Sequence, residues 1–247
     1  MSVAPLSPLD TLVSIVDRPS IALADILQRP RWRWVLPVAV TVTALALSAI
    51  LTAPLLAASS AKEIEALSDQ LARLGGEQAD QVQRQIAALQ TPTAVGAAQF
   101  VTSLLGKAVS WLAQAGVLFV LIAMASADVG FAAIISATPW LNIPYALEAI
   151  VSSGYMIYSQ QVIANQGLSY LASTGDRLAD AANLAYVALS QVTVFRLWHL
   201  GLVYMLFRTA RRSGAGSAFW LTIVYAVIFM GIAFAIAGLI RLIASGH

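Results

Sequence analysis

The chain has 247 residues, 59% of them hydrophobic and only 11% charged, with a mean hydropathy of +0.78. Soluble domains carry about 25% charged residues, so 14 basic and 12 acidic side chains cannot cover a water-facing surface of this size. The lack of cysteine excludes disulfides and thiolate chemistry. Two histidines leave little for a zinc or haem centre, no cofactor is expected, and a net charge of +2 gives no reason to expect a nucleic-acid partner.

In chain order, residues 1–33 read as a cytoplasmic amino-terminal segment. Ser20 followed by Ile21, Leu23, Ala24, Ile26 and Leu27 before Pro30 predicts a short helix lying in the membrane interface. Arg31, Trp32, Arg33 and Trp34, just before Pro37, form an interfacial anchor with a basic rim. The same four residues could be described as a lipid-headgroup site, but every span needs such a flank.

Residues 34–243 read as the membrane domain. Charge-free intervals at 34–61, 108–127 and 213–240 are each long enough for the roughly 20 apolar residues of a crossing. They predict spans at 35–58, 104–126 and 218–240. The small residues Ala57, Ala58, Ser59 and Ala61 imitate a signal cleavage site, but 33 residues precede this run and its length suits a span.

The stretch 59–99 reads as an extracytoplasmic helical loop. Ile64, Leu67, Leu71 and Leu74, then Val82, Ile86 and Leu89 after Gly75-Gly76, predict an antiparallel pair of helices at 62–74 and 77–90. A third span carries Glu148, and Pro139 and Pro144 leave two readings of it. Either one kinked span runs over 133–158, or an interfacial helix at 130–138, marked by Trp140, precedes a span capped at Asn142 and reaching about 165. A fourth span at 181–207 carries Arg196 near mid-membrane. There an unpaired arginine is costly, so Glu148 and Arg196, with His199 one turn on, are the candidate intramembrane charge pair if the third span begins near 133. If it begins near Asn142, backbone carbonyls, Gln or Tyr hydroxyls must satisfy Arg196.

The fold class is therefore all-α: a polytopic helical membrane protein with a five-helix transmembrane bundle and an extramembrane helical hairpin. Arg18, Arg29, Arg31 and Arg33 before the first span, with Arg208, Arg211 and Arg212 after the fourth, place the amino terminus in the cytoplasm. The expected location is the cell inner membrane. No His-Glu-x-x-His, paired-carboxylate or phosphate-loop pattern is present, and Gly214-Ala215-Gly216 reads as a turn, so no enzymatic activity is expected.

Asp17-Arg18-Pro19, Ile26, Pro30, Trp32, Trp34 and Pro37 resemble the entry segment of the YIP-domain membrane proteins, named for interaction with Ypt/Rab GTPases. Phe131-Ala132-Ala133-Ile134-Ile135 with Pro139 is similar to that family's lead-in to its third span. Phe195, Trp198, Leu202, Arg208 and Ala210, then Ser217-Ala218, resemble its fourth span, basic loop and fifth-span entry. The resemblance runs over about residues 12–243, without the 59–99 loop, and points to the family's prokaryotic type. It implies five spans with a cytoplasmic amino terminus. The Asp-Leu-Tyr-Gly-Pro motif of the eukaryotic members has no counterpart here, so a Rab-type GTPase is not an expected partner.

The implied role is to organise membrane or protein partners: the lipid bilayer itself, other membrane proteins, or a homo-oligomer. A small transporter or channel is the alternative, carried by Glu148 beside the proline-interrupted span.

Overall fold

The computed structural model describes residues 6–72, 91–125, 128–211 and 214–244, and every regular element among them is helical. The helices are α1 (Pro8–Asp17), α2 (Pro19–Gln28), α3 (Val35–Ala72), α4 (Pro92–Met124), α5 (Phe131–Leu141) and α6 (Ile143–Ser159). A 3-10 turn (Ser169–Ala172) precedes α7 (Arg177–Ala182), α8 (Leu184–Ser190), α9 (Val194–Arg211) and α10 (Ala215–Ala244). Three are long and apolar enough to cross a membrane: α3 over Val35–Ala61, α4 over Pro92–Met124 and α10 over Ala215–Leu242. The chain divides into two compact units. One comprises Met1–Val40, Val109–Tyr145 and Ala164–His247, the other Thr41–Ala108 and Ala146–Ile163.

In the first unit, α1 opens with a capping box. Ser7 Oγ accepts from Asp10 N–H at 3.0 Å, and Asp10 Oδ2 accepts from Ser7 N–H at 3.3 Å. The residue before a proline is pushed out of the helical region. Arg18, before Pro19, accordingly ends α1, and Arg29, before Pro30, ends α2. Trp32 then takes a left-handed backbone (φ 57°), a strained conformation for a bulky residue, where the chain turns into α3.

The helix expected over 21–27 forms as α2, and part of its apolar stripe is covered by protein. Ala22, Leu23 and Ile26 are fully buried, and α2 packs against α1, α5 and α9 inside the protein. An apolar stripe is satisfied equally by lipid or by a protein core, and here the core takes part of it. Trp140 is no interfacial marker. It is fully buried, and its Nε1–H donates to Arg33 O at 2.8 Å. The core of this unit gathers Trp140, Leu118, Ile134, Leu202 and Phe207 with those α2 residues.

The fourth expected span does not form one helix. Asn183 caps α8 through Ala185 N–H at 3.0 Å, α8 ends before Gln191, and Thr193 Oγ1 accepts from Arg196 N–H at 3.0 Å to start α9. Arg196 therefore occupies the first turn of α9 instead of mid-helix. Gly167 (φ 56°) lets the preceding loop press against the end of α8, with Leu168 N–H donating to Leu189 O at 3.1 Å.

The same region holds a carboxylate clasp. Asp180 Oδ2 accepts from Ser173 Oγ at 2.7 Å, while Oδ1 accepts from Thr174 N–H at 2.6 Å and from Thr174 Oγ1 at 2.8 Å. The Ser173 hydroxyl, then the Thr174 amide, hold the Asp180 carboxyl below its usual range. A depressed folded-state pKa contributes stability above the unfolded value and loses it as pH falls through the folded one. Protection of Thr174 N–H from hydrogen exchange should therefore fall below about pH 4. In Asp180→Asn it should be weaker at neutral pH and no longer vary with acid; an unchanged acid profile in that variant would reject the clasp.

In the second unit α3 runs without interruption to Ala72. The separate helix expected from 62 is thus continuous with the helix of the first span, in one helix of 38 residues. The partner helix expected at 77–90 lies outside the described residues. Helices α3 and α4 approach closely at Gly96, where an added Cβ would stand 3.0 Å from Ala53 Cβ and 3.3 Å from Ala49 O. Ser153 Oγ on α6 donates to Ser48 Oγ on α3 at 2.7 Å, and Thr52 Oγ1 donates to Gln99 Oε1 on α4 at 3.3 Å. Small residues and hydroxyls at helix contacts are how helices associate in lipid, where apolar burial supplies no drive.

Candidate functional site: a buried polar cluster at the Asn142 break

Pro139 and Pro144 each lack an N–H, and between them the helix breaks at Asn142 (φ −94°, ψ 1°). Tyr145 N–H turns back to Asn142 O at 3.0 Å, so Leu141 O takes its donor from elsewhere. That donor is His199 on α9, whose Nδ1 lies 2.7 Å from Leu141 O. A carbonyl only accepts, so Nδ1 carries the hydrogen. In the neutral ring Nε2 is then an acceptor, and the Tyr225 hydroxyl on α10 donates to it at 3.0 Å. His199 and Tyr225 are 3% and 2% exposed. The Tyr145 ring lies against His199 at 5.1 Å, and Phe229 packs on Tyr225 at 4.8 Å.

Asn142 joins the same level from its side chain. Its Nδ2 donates to Gln114 Oε1 on α4 at 2.8 Å and to Thr138 O at 2.9 Å, while Gln114 Nε2 donates to Ser110 Oγ at 2.9 Å. Four helix segments, α4, α5, α9 and α10, are thereby tied together by groups whose bonds are spent on one another. Among the described residues no group of His, Cys, Asp and Glu could hold a metal ion.

Of the candidates expected from sequence, His199 lies at the centre of the cluster, and Arg196, one turn before it, donates from Nη1 to Gln191 Oε1. Glu148, on α6, belongs to the other unit, where it attracts the ammonium of Lys107 on α4. Gln191 is a partner of the kind expected for Arg196 when the third span begins near Asn142, whereas Lys107 is one that sequence reading overlooked.

Of the anchor residues, Arg31 is exposed, and Trp32 and Trp34 are 77% and 44% exposed. Arg33 instead turns inward. Its Nη2 meets Asp25 Oδ2 at 2.7 Å, and its Nη1 donates to Leu6 O at 2.8 Å and to Thr11 Oγ1 at 3.3 Å. Sequence reasoning missed Gln114 and Tyr225, although a glutamine and a tyrosine within otherwise apolar spans were the available signal.

No family model, no curated protein and no solved structure matches this chain.

Proposed function

We propose that the chain is a non-enzymatic integral membrane protein of the YIP-domain type, in which a rigid helical scaffold organises membrane or protein partners. In this reading α6 and α9 join α3, α4 and α10 as the five spans. The amino terminus is cytoplasmic and the location is the inner membrane. The observation that carries it is a contrast. The buried polar groups at Asn142, Gln114, His199 and Tyr225 bond to each other and to backbone, whereas the long helices remain largely uncovered. Only 28% of the most apolar stretch is buried in α3 and in α4, and 11% in α10. Polar groups so occupied fix helices in place, and uncovered apolar helices offer surface to lipid or to a second helix.

The test is photo-crosslinking in native membranes from a benzophenone side chain at Val227, which is 63% exposed on α10, combined with flux in vesicles. A discrete protein adduct is expected, with purified protein giving no proton or solute flux above that of empty vesicles. Lipid adducts alone, together with a flux, would overturn the proposal. The broken helix at Asn142, with Glu148 six residues beyond it, favours a small transporter as the second reading. That reading requires Glu148→Gln to abolish flux while leaving the melting temperature unchanged.

A further inference from the structure

The amino-terminal helix α1 has two faces with different fates. Thr11 and Ile15 are fully buried, while Leu9, Val13 and Val16 are 69%, 68% and 60% exposed. The spacings of four and three put these last residues on one side of the helix. The helix is firmly built, with Pro8 in its first turn and the Ser7–Asp10 capping box closing its start. Its apolar face is therefore a presented surface.

Arg33 fixes where that surface lies. The side chain that bonds Leu6 O and Thr11 Oγ1 belongs to the residue two before Val35, where the first apolar helix begins. Its other nitrogen binds Asp25 of α2. One guanidinium thus clamps α1 and α2 to the entry point of α3. At that entry point Trp32, Trp34 and Val35 are exposed, and such indoles belong at the headgroup level. The exposed Arg31 supplies a basic charge in the same entry segment, while Arg18 and Arg29, with side chains 71% and 41% exposed, each sit beside a carboxylate, Asp17 and Asp25. Asp10 is occupied by the capping box and Asp17 by Arg18 at 3.2 Å.

We infer that α1 is a membrane-surface helix. Its Leu9, Val13 and Val16 bed into the headgroup–acyl boundary of the leaflet that α3 enters, beside Trp32 and Trp34. Lipid is the occupant because this face continues the surface by which the chain enters the membrane. A soluble partner would have to approach past the bilayer at the same level. The inference rests on the membrane embedding of α3 and α10, and its test separates the two.

The chain has no cysteine, so single cysteines give unique labelling sites. Val13→Cys, Val16→Cys, Ser20→Cys and Val227→Cys would each carry an environment-sensitive nitrobenzoxadiazole label. The full-length protein would be reconstituted in vesicles containing phospholipids brominated either near the headgroup or deep in the acyl chain. Labels at Val13→Cys and Val16→Cys should shift to the blue and lose emission to the shallow bromines, while Ser20→Cys stays in water. Val227→Cys should be quenched by the deep bromines. A label at both Val13→Cys and Val16→Cys that stays polar would overturn the inference. So would one that shifts to the blue yet resists bromine, which would mean a protein face covers it. Loss of quenching at Val227→Cys would instead defeat the membrane embedding itself.

Discussion

His199→Ala should lower the melting temperature of the detergent-solubilised protein far more than Tyr225→Phe. Alanine removes the donor to Leu141 O, a carbonyl diverted from the ordinary helical pattern by the break at Asn142. It also opens a cavity beside the Tyr145 and Tyr225 rings, whose centroids lie 5.1 and 5.9 Å from that of the imidazole. Cavity formation and a stranded buried carbonyl together cost about 3–5 kcal/mol. Tyr225→Phe keeps the ring and deletes one hydrogen bond between helices, a change averaging about 0.6 kcal/mol and reaching about 1.7 in membrane proteins. Thermal melts of the two variants check this. Equal losses would mean that the link to Tyr225, not the link to Leu141, holds the cluster together.

Gly167→Ala should loosen the segment between α6 and α9. At φ 56° a side chain is already disfavoured by about 1–2 kcal/mol. Here the new Cβ would also stand 2.6 Å from Val192 O, 3.0 Å from Leu189 O and 3.1 Å from Val192 C. All three are backbone atoms, so no side chain can swing away and the loop must part from the end of α8. The combined cost exceeds about 2 kcal/mol. Hydrogen exchange at Leu168 N–H, which bonds to Leu189 O, reads the effect directly. Gly175→Ala is the control: its φ is 83°, but nothing lies within 4 Å of the added Cβ. Equal changes in the two variants would show that the contact with Val192 is unimportant.

The long helices were legible because a charge-free apolar run of that length suits a bilayer and little else. Asn142 between Pro139 and Pro144 was similarly open to reading, since two missing donors so close together must disturb a helix. The fate of α2 was not. Ala22, Leu23 and Ile26 form a stripe whose periodicity states only that something apolar covers it. Whether that is lipid or α9 is a matter of tertiary packing.

Arg196 was misplaced for a related reason. Leu184 to Leu189 are apolar enough to continue a span, and the hydrogen bonds that start α8 and restart the chain at Val194 come from single side chains, Asn183 and Thr193. The pairing of His199 with Tyr225 crosses between two helices and leaves no local motif. Lys107 lay inside the expected second span, yet as the residue just before a charge-free interval it read as a boundary and not as a partner for Glu148.

The apolar lengths of α3, α4 and α10 carry a consequence for the bilayer. At 1.5 Å per residue, the 27, 33 and 28 residues of these stretches measure about 40, 50 and 42 Å, against a hydrocarbon core of about 30 Å. The excess must be absorbed by tilting the helices, by stretching the surrounding acyl chains, or by letting the ends protrude. Helices α3 and α4, which approach closely at Gly96, would tilt together. Whatever tilt does not absorb falls on the membrane as local thickening wherever their ends stay in lipid. Long-chain lipids relieve this mismatch and short-chain lipids sharpen it. Acyl-chain length thus becomes a variable that loads the helices directly, and most strongly α10, the least covered of the three.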